Sequence, residues 1–224
     1  MKRHPIDYKA VAREIKRFVP NGQTVAELAA SLPKLGVELV TYDKGEFLGH
    51  IGDLMTRVYY VLSGRLHLCT EGADGSPLLM FVRAPGSFIG SSAVVLSQRQ
   101  FPFSVLAYEP CRLLSYDCAK IRQWRQEPES AGLFAELERQ SFENFDDVAL
   151  KCAVLSQYGI ANRVLTFLRM RCAHHGSKTI HLDFTMADLA SYLGVNASAL
   201  SRTLNQMKAD GRIDYTRRQM TLLD

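Results

Sequence analysis

The chain has 224 residues, of which 47% are hydrophobic and 22% charged, and a formal net charge of +4, the composition of a water-soluble protein with one large or two small cores. No run approaches the roughly 18 apolar residues of a membrane span, and the basic N-terminus has no apolar stretch behind it, so neither membrane association nor a signal peptide is expected. The five cysteines (Cys69, Cys111, Cys118, Cys152 and Cys172) are odd in number and form no CxxC, which argues against a disulfide framework or an iron–sulfur cluster and for a reducing, cytoplasmic setting.

Residues 1–30 read as partly helical. Ile6, Ala10, Val11, Ile15 and Phe18 are roughly helix-spaced, and Pro20-Asn21-Gly22 stops the run. From Leu35 to Ser115 the texture changes to short apolar runs punctuated at Lys44-Gly45, Gly52-Asp53, Ser63-Gly64, Asp74-Gly75 and Pro85-Gly86. Evenly spaced short strands of this kind suggest an antiparallel sandwich or barrel. In VYYVLSGRLHL, Val58, Tyr60 and Leu62 alternate before Ser63-Gly64, and Leu66 and Leu68 after it, which predicts a hairpin with a two-residue turn.

From about Pro128 the spacing becomes helical. Phe134, Leu137, Ser141, Phe145, Val148, Cys152 and Leu155 recur every three or four residues, with one irregularity where two fours fall together. The stripe suits a long helix that packs on its own domain or, the favoured reading, pairs with its twin in a homodimer. Ser156-Gln157-Tyr158-Gly159 reads as a hinge. A helix carrying Val164, Phe167, Leu168 and Cys172 follows and ends at His174-His175-Gly176-Ser177.

The stretch TMADLASYLGVNASALSRTLNQM, from Thr185 to Met207, carries the most chemistry. Thr185 and Asp188 suit a capping box, Met186, Leu189, Ala190 and Leu193 a buried face, and Gly194 a tight turn. Val195 plugs the space between helices, Asn196 caps the second helix, and Leu200, Leu204 and Met207 point inward. Asn196, Ala197, Ser198, Ser201, Arg202 and Asn205 then face out. That is the layout of a helix-turn-helix, whose second helix enters the major groove of DNA. Arg202 can make two parallel hydrogen bonds to guanine, Ser198 and Ser201 can reach bases or phosphates, and Ala197 can touch a thymine methyl. Two strands follow, Arg212–Tyr215 and Met220–Leu223. Their tip, Thr216-Arg217-Arg218-Gln219, suits backbone phosphates and makes the module a winged helix. From Ser156 onward nine Lys and Arg face five Asp and Glu, whereas the preceding residues carry eighteen of each. The whole positive excess therefore lies in this last third, as phosphate binding needs.

On these residues the chain resembles the cyclic-AMP receptor protein/FNR family of bacterial transcription regulators over about residues 35–224. The likeness rests on the glycine-punctuated segment with VLSGRL and PGSFIG, the long central helix, and LASYLGVNASALSRTLNQMKADGRI. It implies an α+β fold in three parts: a β-roll sensor domain over 1–127, a dimerisation helix over 128–156, and a winged helix-turn-helix DNA-binding domain over 157–224. The sensor would be a double-stranded β-helix, cupin-like and similar to cyclic-nucleotide-binding domains. The implied partners are double-stranded DNA carrying a palindromic operator, a second copy of the chain, and RNA polymerase. Ser198 stands where the best-known members carry a glutamate that reads cytosine, so the half-site is expected to differ from the TGTGA or TTGAT type.

The resemblance places an effector pocket at Gly90, Ser91, Ser92, Arg99 and Phe101, facing Phe145, Val148, Ala149 and Cys152 of the central helix. Ser91 stands where cyclic-nucleotide binders have a ribose-binding glutamate. The phosphate-binding arginine falls near Phe101-Pro102, with Arg99 displaced, and the adenine-binding pair falls near Val148-Ala149. A buried cyclic phosphate needs a cation and donors, so cyclic AMP is disfavoured, and haem or a small organic effector is the expectation. His50 and His67 are the candidate haem or metal ligands, against the commoner reading of lone histidines as surface or core residues. Cys111, Cys118 and Cys152 could sense oxidants, against the commoner buried structural thiol. The alternative function is a small-molecule or haem-binding regulatory module that does not act through DNA. No P-loop, HExxH, GxSxG or zinc-finger spacing is present, and no enzyme is expected.

Overall fold

The apolar runs between Leu35 and Ser115 form two antiparallel sheets. A computed structural model describes residues 1–16, 24–72, 75, 77–96, 99–127, 130–182 and 184–223. They divide into two units, Met1–Cys69 with Arg83–Asn144, and Thr70–Val82 with Phe145–Asp224. One sheet has the order β1(Lys2–His4), β2(Glu38–Tyr42), β9(Cys111–Asp117), β4(Arg57–Ser63), β7(Phe88–Ile89); the other runs β3(Phe47–Gly49), β8(Ser104–Ala107), β5(Leu66–Glu71), β6(Pro77–Arg83). Val58, Tyr59, Tyr60, Val61 and Leu62 are all buried, with Val40, Leu113 and Leu114 fully enclosed beside them. Strands with this much covered apolar surface are held chiefly by its removal from water, about 25 cal/mol per Å².

The predicted hairpin at Ser63-Gly64 is not one. Strands β4 and β5 lie in different sheets, β4 pairing with β7 and β9 and β5 with β6 and β8. Gly64 has φ +87°, and a Cβ there would come within 2.5 Å of the Pro110 carbonyl oxygen. The residue is a corner where the chain changes sheets, a place only glycine fits. The hairpin joins β5 to β6, where Gly75 N–H donates to the Gly72 carbonyl at 2.9 Å; Asp74 lies outside the described residues.

The N-terminal segment also differs from the helical reading. Lys2–His4 pairs antiparallel with Leu39–Thr41. Helix α1 (Tyr8–Ile15), capped by Asp7, and helix α2 (Val25–Ser31), opened by a Thr24–Glu27 capping box, follow. Phe18 and the expected stop at Pro20-Asn21-Gly22 lie outside the described residues. Helix α3 (Ser92–Val95) follows β7. Helix α4 (Cys118–Trp124) takes its cap from Asp117 and buries Cys118, Ile121 and Trp124.

Helix α5 (Ala131–Leu155) continues from the first unit into the second. The expected single apolar stripe is split between two faces. Leu137 is buried, Phe134 and Leu155 are half-buried, and Ser141, Phe145, Val148 and Cys152 are exposed. The two consecutive fours at Leu137, Ser141 and Phe145 are the cause, because they carry the stripe around the helix. The inward face of the first half buries polar groups beside Leu137. Glu136 and Gln140 are buried; Gln140 accepts from Phe88 N–H and donates to the Gly86 carbonyl, both at 2.7 Å, and also donates to Glu136 at 2.8 Å. One turn on, Asn144 accepts from the Arg83 guanidinium at 2.7 Å. The outward face presents Ala135, Glu138, Phe142, Phe145, Ala149 and Cys152, with Phe142 76% and Phe145 70% exposed.

The second unit adds α6 (Ile160–His175), α7 (Met186–Leu193), α8 (Ala197–Ala209) and a three-stranded sheet ordered β10(Thr179–His181), β12(Gln219–Leu222), β11(Ile213–Tyr215). Gly159, with φ +76° and ψ 151°, stands between α5 and α6. Helix α6 buries Val164, Leu165, Phe167, Leu168 and Cys172 and ends at Gly176 in the left-handed conformation. Strand β10 has no counterpart in the sequence reading.

Candidate DNA interface

Local chemistry fixes the helix-turn-helix. Thr185 Oγ1 accepts from Asp188 N–H at 3.2 Å, and Asp188 accepts from Thr185 N–H at 2.9 Å, closing the capping box of α7. Leu189, Ala190 and Leu193 are buried as expected, joined by Tyr192; Met186 is half-buried. Gly194, at φ +63°, ends α7 in the left-handed conformation that a tight turn requires. Asn196 Oδ1 accepts from Ser198 N–H at 2.9 Å to cap α8, a contact worth about 1 kcal/mol. Leu200, Leu204 and Met207 bury the inner face of α8.

Asn196, Ala197, Ser198, Ser201, Arg202 and Asn205 are all exposed on α8 and its cap, as are Thr185, Arg217 and Arg218. Several of these groups already serve the fold. The Ser198 hydroxyl donates to Asn196 Oδ1 at 2.7 Å, and the Thr185 hydroxyl donates to Asp188 at 2.7 Å. Asn205 Oδ1 accepts from Tyr215 O–H at 2.7 Å, tying α8 to β11. At the wing tip, Thr216 Oγ1 accepts from the backbone of Arg218 at 3.3 Å and of Gln219 at 3.1 Å, so the turn is held by the threonine side chain together with the Thr216 N–H to Gln219 carbonyl bond at 2.9 Å. The side chains of Arg202, Arg217 and Arg218 have no hydrogen bond or ion pair among the described residues. Such guanidiniums keep all their donors for phosphate or guanine. Lys208, by contrast, is paired with Asp214 at 2.6 Å and lowers that carboxyl below its usual range, chiefly through their hydrogen bond.

Two cations of this unit were not foreseen. Arg163 donates to the carbonyls of Leu193 at 2.8 Å, Gly194 at 3.2 Å and Gln157 at 3.1 Å, holding the turn before α8. Lys151, 1% exposed, donates to the carbonyls of Leu79 at 2.7 Å and of Tyr192. Cations at the C-terminal end of a helix are favoured by its dipole, but hydrophobic periodicity gives no sign of them. Phe167, Phe184 and Tyr192 form an aromatic cluster beside this end, with centroids 5.5–6.3 Å apart.

The candidate effector residues belong to both units. In the first, Gly90 has φ +84°, Ser91 is 8% exposed and Ser92 half-buried. Arg99 is exposed, and its carbonyl accepts from Met55 N–H at 2.8 Å. Phe101 is buried against Gly49, where a Cβ would come within 2.6 Å of its ring. In the second unit, Phe145, Val148, Ala149 and Cys152 are all exposed. His50 is exposed, its ring 4.4 Å from that of Phe47, while His67 is buried and stacked on Tyr108 at 3.9 Å. Among the described residues no three His, Cys, Asp or Glu side chains converge as metal ligands. Burial pushes the thiols of Cys111 and Cys118 up to about 11 and raises that of Cys172, which suppresses thiolate chemistry; Cys152 is exposed. No helix among the described residues is long and apolar enough to cross a membrane.

Comparison with known proteins agrees with this architecture. Residues 39–127 match the cyclic nucleotide-binding domain, and residues 162–224 the Crp-like helix-turn-helix domain. The chain is 23% identical over 206 residues to a global nitrogen regulator of Synechocystis sp., covering 87% of this chain and 91% of that protein. It is 25% identical over 190 residues to the nitrogen fixation regulation protein FixK of Bradyrhizobium diazoefficiens, covering 83% and 78%. Among solved structures, the c-di-GMP responsive global regulator CLP of Xanthomonas campestris superposes with a TM-score of 0.65 at 18% identity, covering 95% of this chain and 99% of that one. FixK2 of Bradyrhizobium japonicum gives 0.63 at 18% identity, covering 84% and 93%. Two matching domains in this order, with an exposed, capped helix carrying Arg202 between α7 and the wing, place the chain in the cyclic-AMP receptor protein/FNR family of DNA-binding transcription regulators.

Proposed function

We propose that the chain works as a homodimer paired along the outward face of α5 and reads a palindromic operator under the control of an effector other than cyclic AMP. The observation that carries the reading is that face. Ala135, Glu138, Phe142, Phe145, Ala149 and Cys152 alternate in steps of three and four and are all exposed. That spacing is the seam of a two-stranded coiled coil. Burying Phe142 and Phe145 against a twin is favourable by about 1.5–3 kcal/mol per ring. The seam includes Phe145 and Cys152 from the expected stripe and replaces Leu137 with Glu138 and Phe142, because Leu137 is enclosed within the first unit. Two α8 helices held about 34 Å apart would meet successive major grooves. Arg202 would then read guanine, Ala197, Ser198, Ser201 and the Asn205 amide would face neighbouring base edges, and Arg217 and Arg218 would hold phosphates. Thr185 and Asn196 would present the capped N-terminal ends of α7 and α8 to the DNA backbone.

The effector reading rests on charge. A hydroxyl at Ser91 and the ring of Phe101 occupy the places that a cyclic nucleotide would need filled by a carboxylate and a cation, and an unmatched buried phosphate is costly. Sedimentation should give a dimer, and a gel-shift titration a two-half-site complex with steep salt dependence. Cyclic AMP should leave both unchanged. Native mass spectrometry and an absorption spectrum with and without added haemin distinguish an organic effector from haem. A strictly monomeric wild-type chain, or one blind to every duplex in a random-sequence selection, defeats the proposal.

A further inference from the structure

We infer that Lys151 is a positioning residue for DNA reading: its buried ammonium clasps the hairpin strand β6 to the end of α7 and so sets the helix that leads into α8. Three observations within the second unit carry this. The Lys151 side chain is 1% exposed, and its Nζ donates to the Leu79 carbonyl of β6 at 2.7 Å and to the Tyr192 carbonyl in the last turn of α7. The same ammonium lies 3.9 Å from the centroid of the Tyr192 ring, adding a cation–π contact in a desolvated setting. A second, independent bond runs alongside it, because Leu79 N–H donates to Ser191 Oγ at 2.9 Å. Both backbone polar groups of Leu79 are therefore held by α5 and α7 rather than by water.

The chemistry is that of a rigid junction. An ammonium has three donors and no acceptor, and burying one is tolerated only where carbonyls and dipoles surround it. The C-terminal end of α7 supplies such a field. Its carbonyls are shared between two cations, Tyr192 going to Lys151 and Leu193 and Gly194 to Arg163. Only Gly194 and Val195 separate that end from the Asn196 cap of α8. A shift of β6 is thus transmitted through Leu79 to α7 and on to the reading helix. Lys151 touches no base or phosphate in this arrangement; it acts through the orientation of α7.

The inference rests on the reading of α8 as the DNA-contacting helix, and the test separates the two. Lys151→Met and Ser191→Ala variants of the full chain are compared with wild type by hydrogen–deuterium exchange and by operator titration over a salt series. In Lys151→Met, amides of 78–82 and 186–194 should exchange at least tenfold faster, while those of α6 and β12 keep their wild-type protection. Operator affinity should fall about tenfold or more with an unchanged salt slope, because the phosphate contacts are kept and only their alignment is lost. Ser191→Ala should shift both readouts the same way by less, and it carries the test alone if Lys151→Met does not fold. Lys151→Arg, which keeps a cation, should recover part of the affinity. Wild-type exchange in both segments, wild-type affinity, or a uniform loss of protection across the whole unit overturns the clasp. A wild-type chain that binds no DNA defeats the α8 reading instead, and the exchange arm then still decides whether β6 and α7 are coupled.

Discussion

The two units fasten helix α5 to neighbouring backbone in opposite ways. In the first, a neutral amide does the work: Gln140 satisfies Gly86 and Phe88 and is steadied by the buried carboxyl of Glu136, which also receives Arg139. In the second, a cation does it, through Lys151. An amide can both donate and accept, so it matches a strand that offers one N–H and one C=O. An ammonium only donates, so it suits a place where carbonyls alone converge, such as a helix end. The difference teaches that the polar residues of a long helix can report what it is docked on.

The largest expected effect tests the face that the two units share. Phe142 belongs to the first unit and Phe145 to the second. Phe142→Asp with Phe145→Asp should yield a monomer by sedimentation and weaken operator binding by about 10²–10⁴-fold, the loss of a linked second contact. Retention of the dimer would show that neither half of α5 pairs through this face. Next comes the amide anchor. Gln140→Leu strands Gly86 O and Phe88 N–H, each unmet group costing about 1–3 kcal/mol. Thermal unfolding should shift down accordingly, with the exchange of 186–194 unaffected; a change confined to the second unit would break the contrast. Arg202→Ala should do the reverse, costing about 1–3 kcal/mol on the preferred operator and relaxing base choice at one position while leaving the melting temperature alone.

The smallest effect concerns thiols. Cys111 and Cys118 in the first unit have pKa values raised by burial from 9.0 to about 11. A raised folded-state value means the neutral thiol is favoured, so this contribution is complete below the ordinary value and is lost as pH climbs toward 11. Urea midpoints should fall over that window, and less so when both cysteines are replaced by serine. At neutral pH, maleimide should reach Cys111 and Cys118 only on unfolding; their labelling in the folded protein would contradict the burial.

What the sequence shows and what it hides follow from the range of each signal. The helix-turn-helix is legible almost residue by residue because its signals are local: a capping box spanning Thr185 to Asp188, a left-handed Gly194, a cap at Asn196, and an inner face of Leu200, Leu204 and Met207. The β segment is legible as short strands with turns, yet its pairing is not. Ser63-Gly64 looks identical whether the chain folds back or changes sheets, and what decides is Pro110, forty-six residues away, against which Gly64 must fit. The strand Lys2–His4 is charged and exposed and carries no alternation to read. The exposed face of α5 is half legible, since Phe145 and Cys152 lie on it, while Phe142 is hidden by the assumption that every apolar residue shares one face. Gln140, Lys151 and Arg163 are hidden altogether, because polar residues at helical spacing look like a solvated surface until their backbone partners are known.

Gly159 has one further consequence. Its φ of +76° with ψ of 151° lies where side-chain-bearing residues are rarely found, yet a Cβ added there would meet nothing within 4 Å. Replacing it with alanine therefore alters torsional preference alone, by about 1–3 kcal/mol, and removes no contact. The joint between α5 and α6 can be stiffened or biased at a single atom, which makes this position a clean probe of how far the torsion of that joint matters to DNA binding.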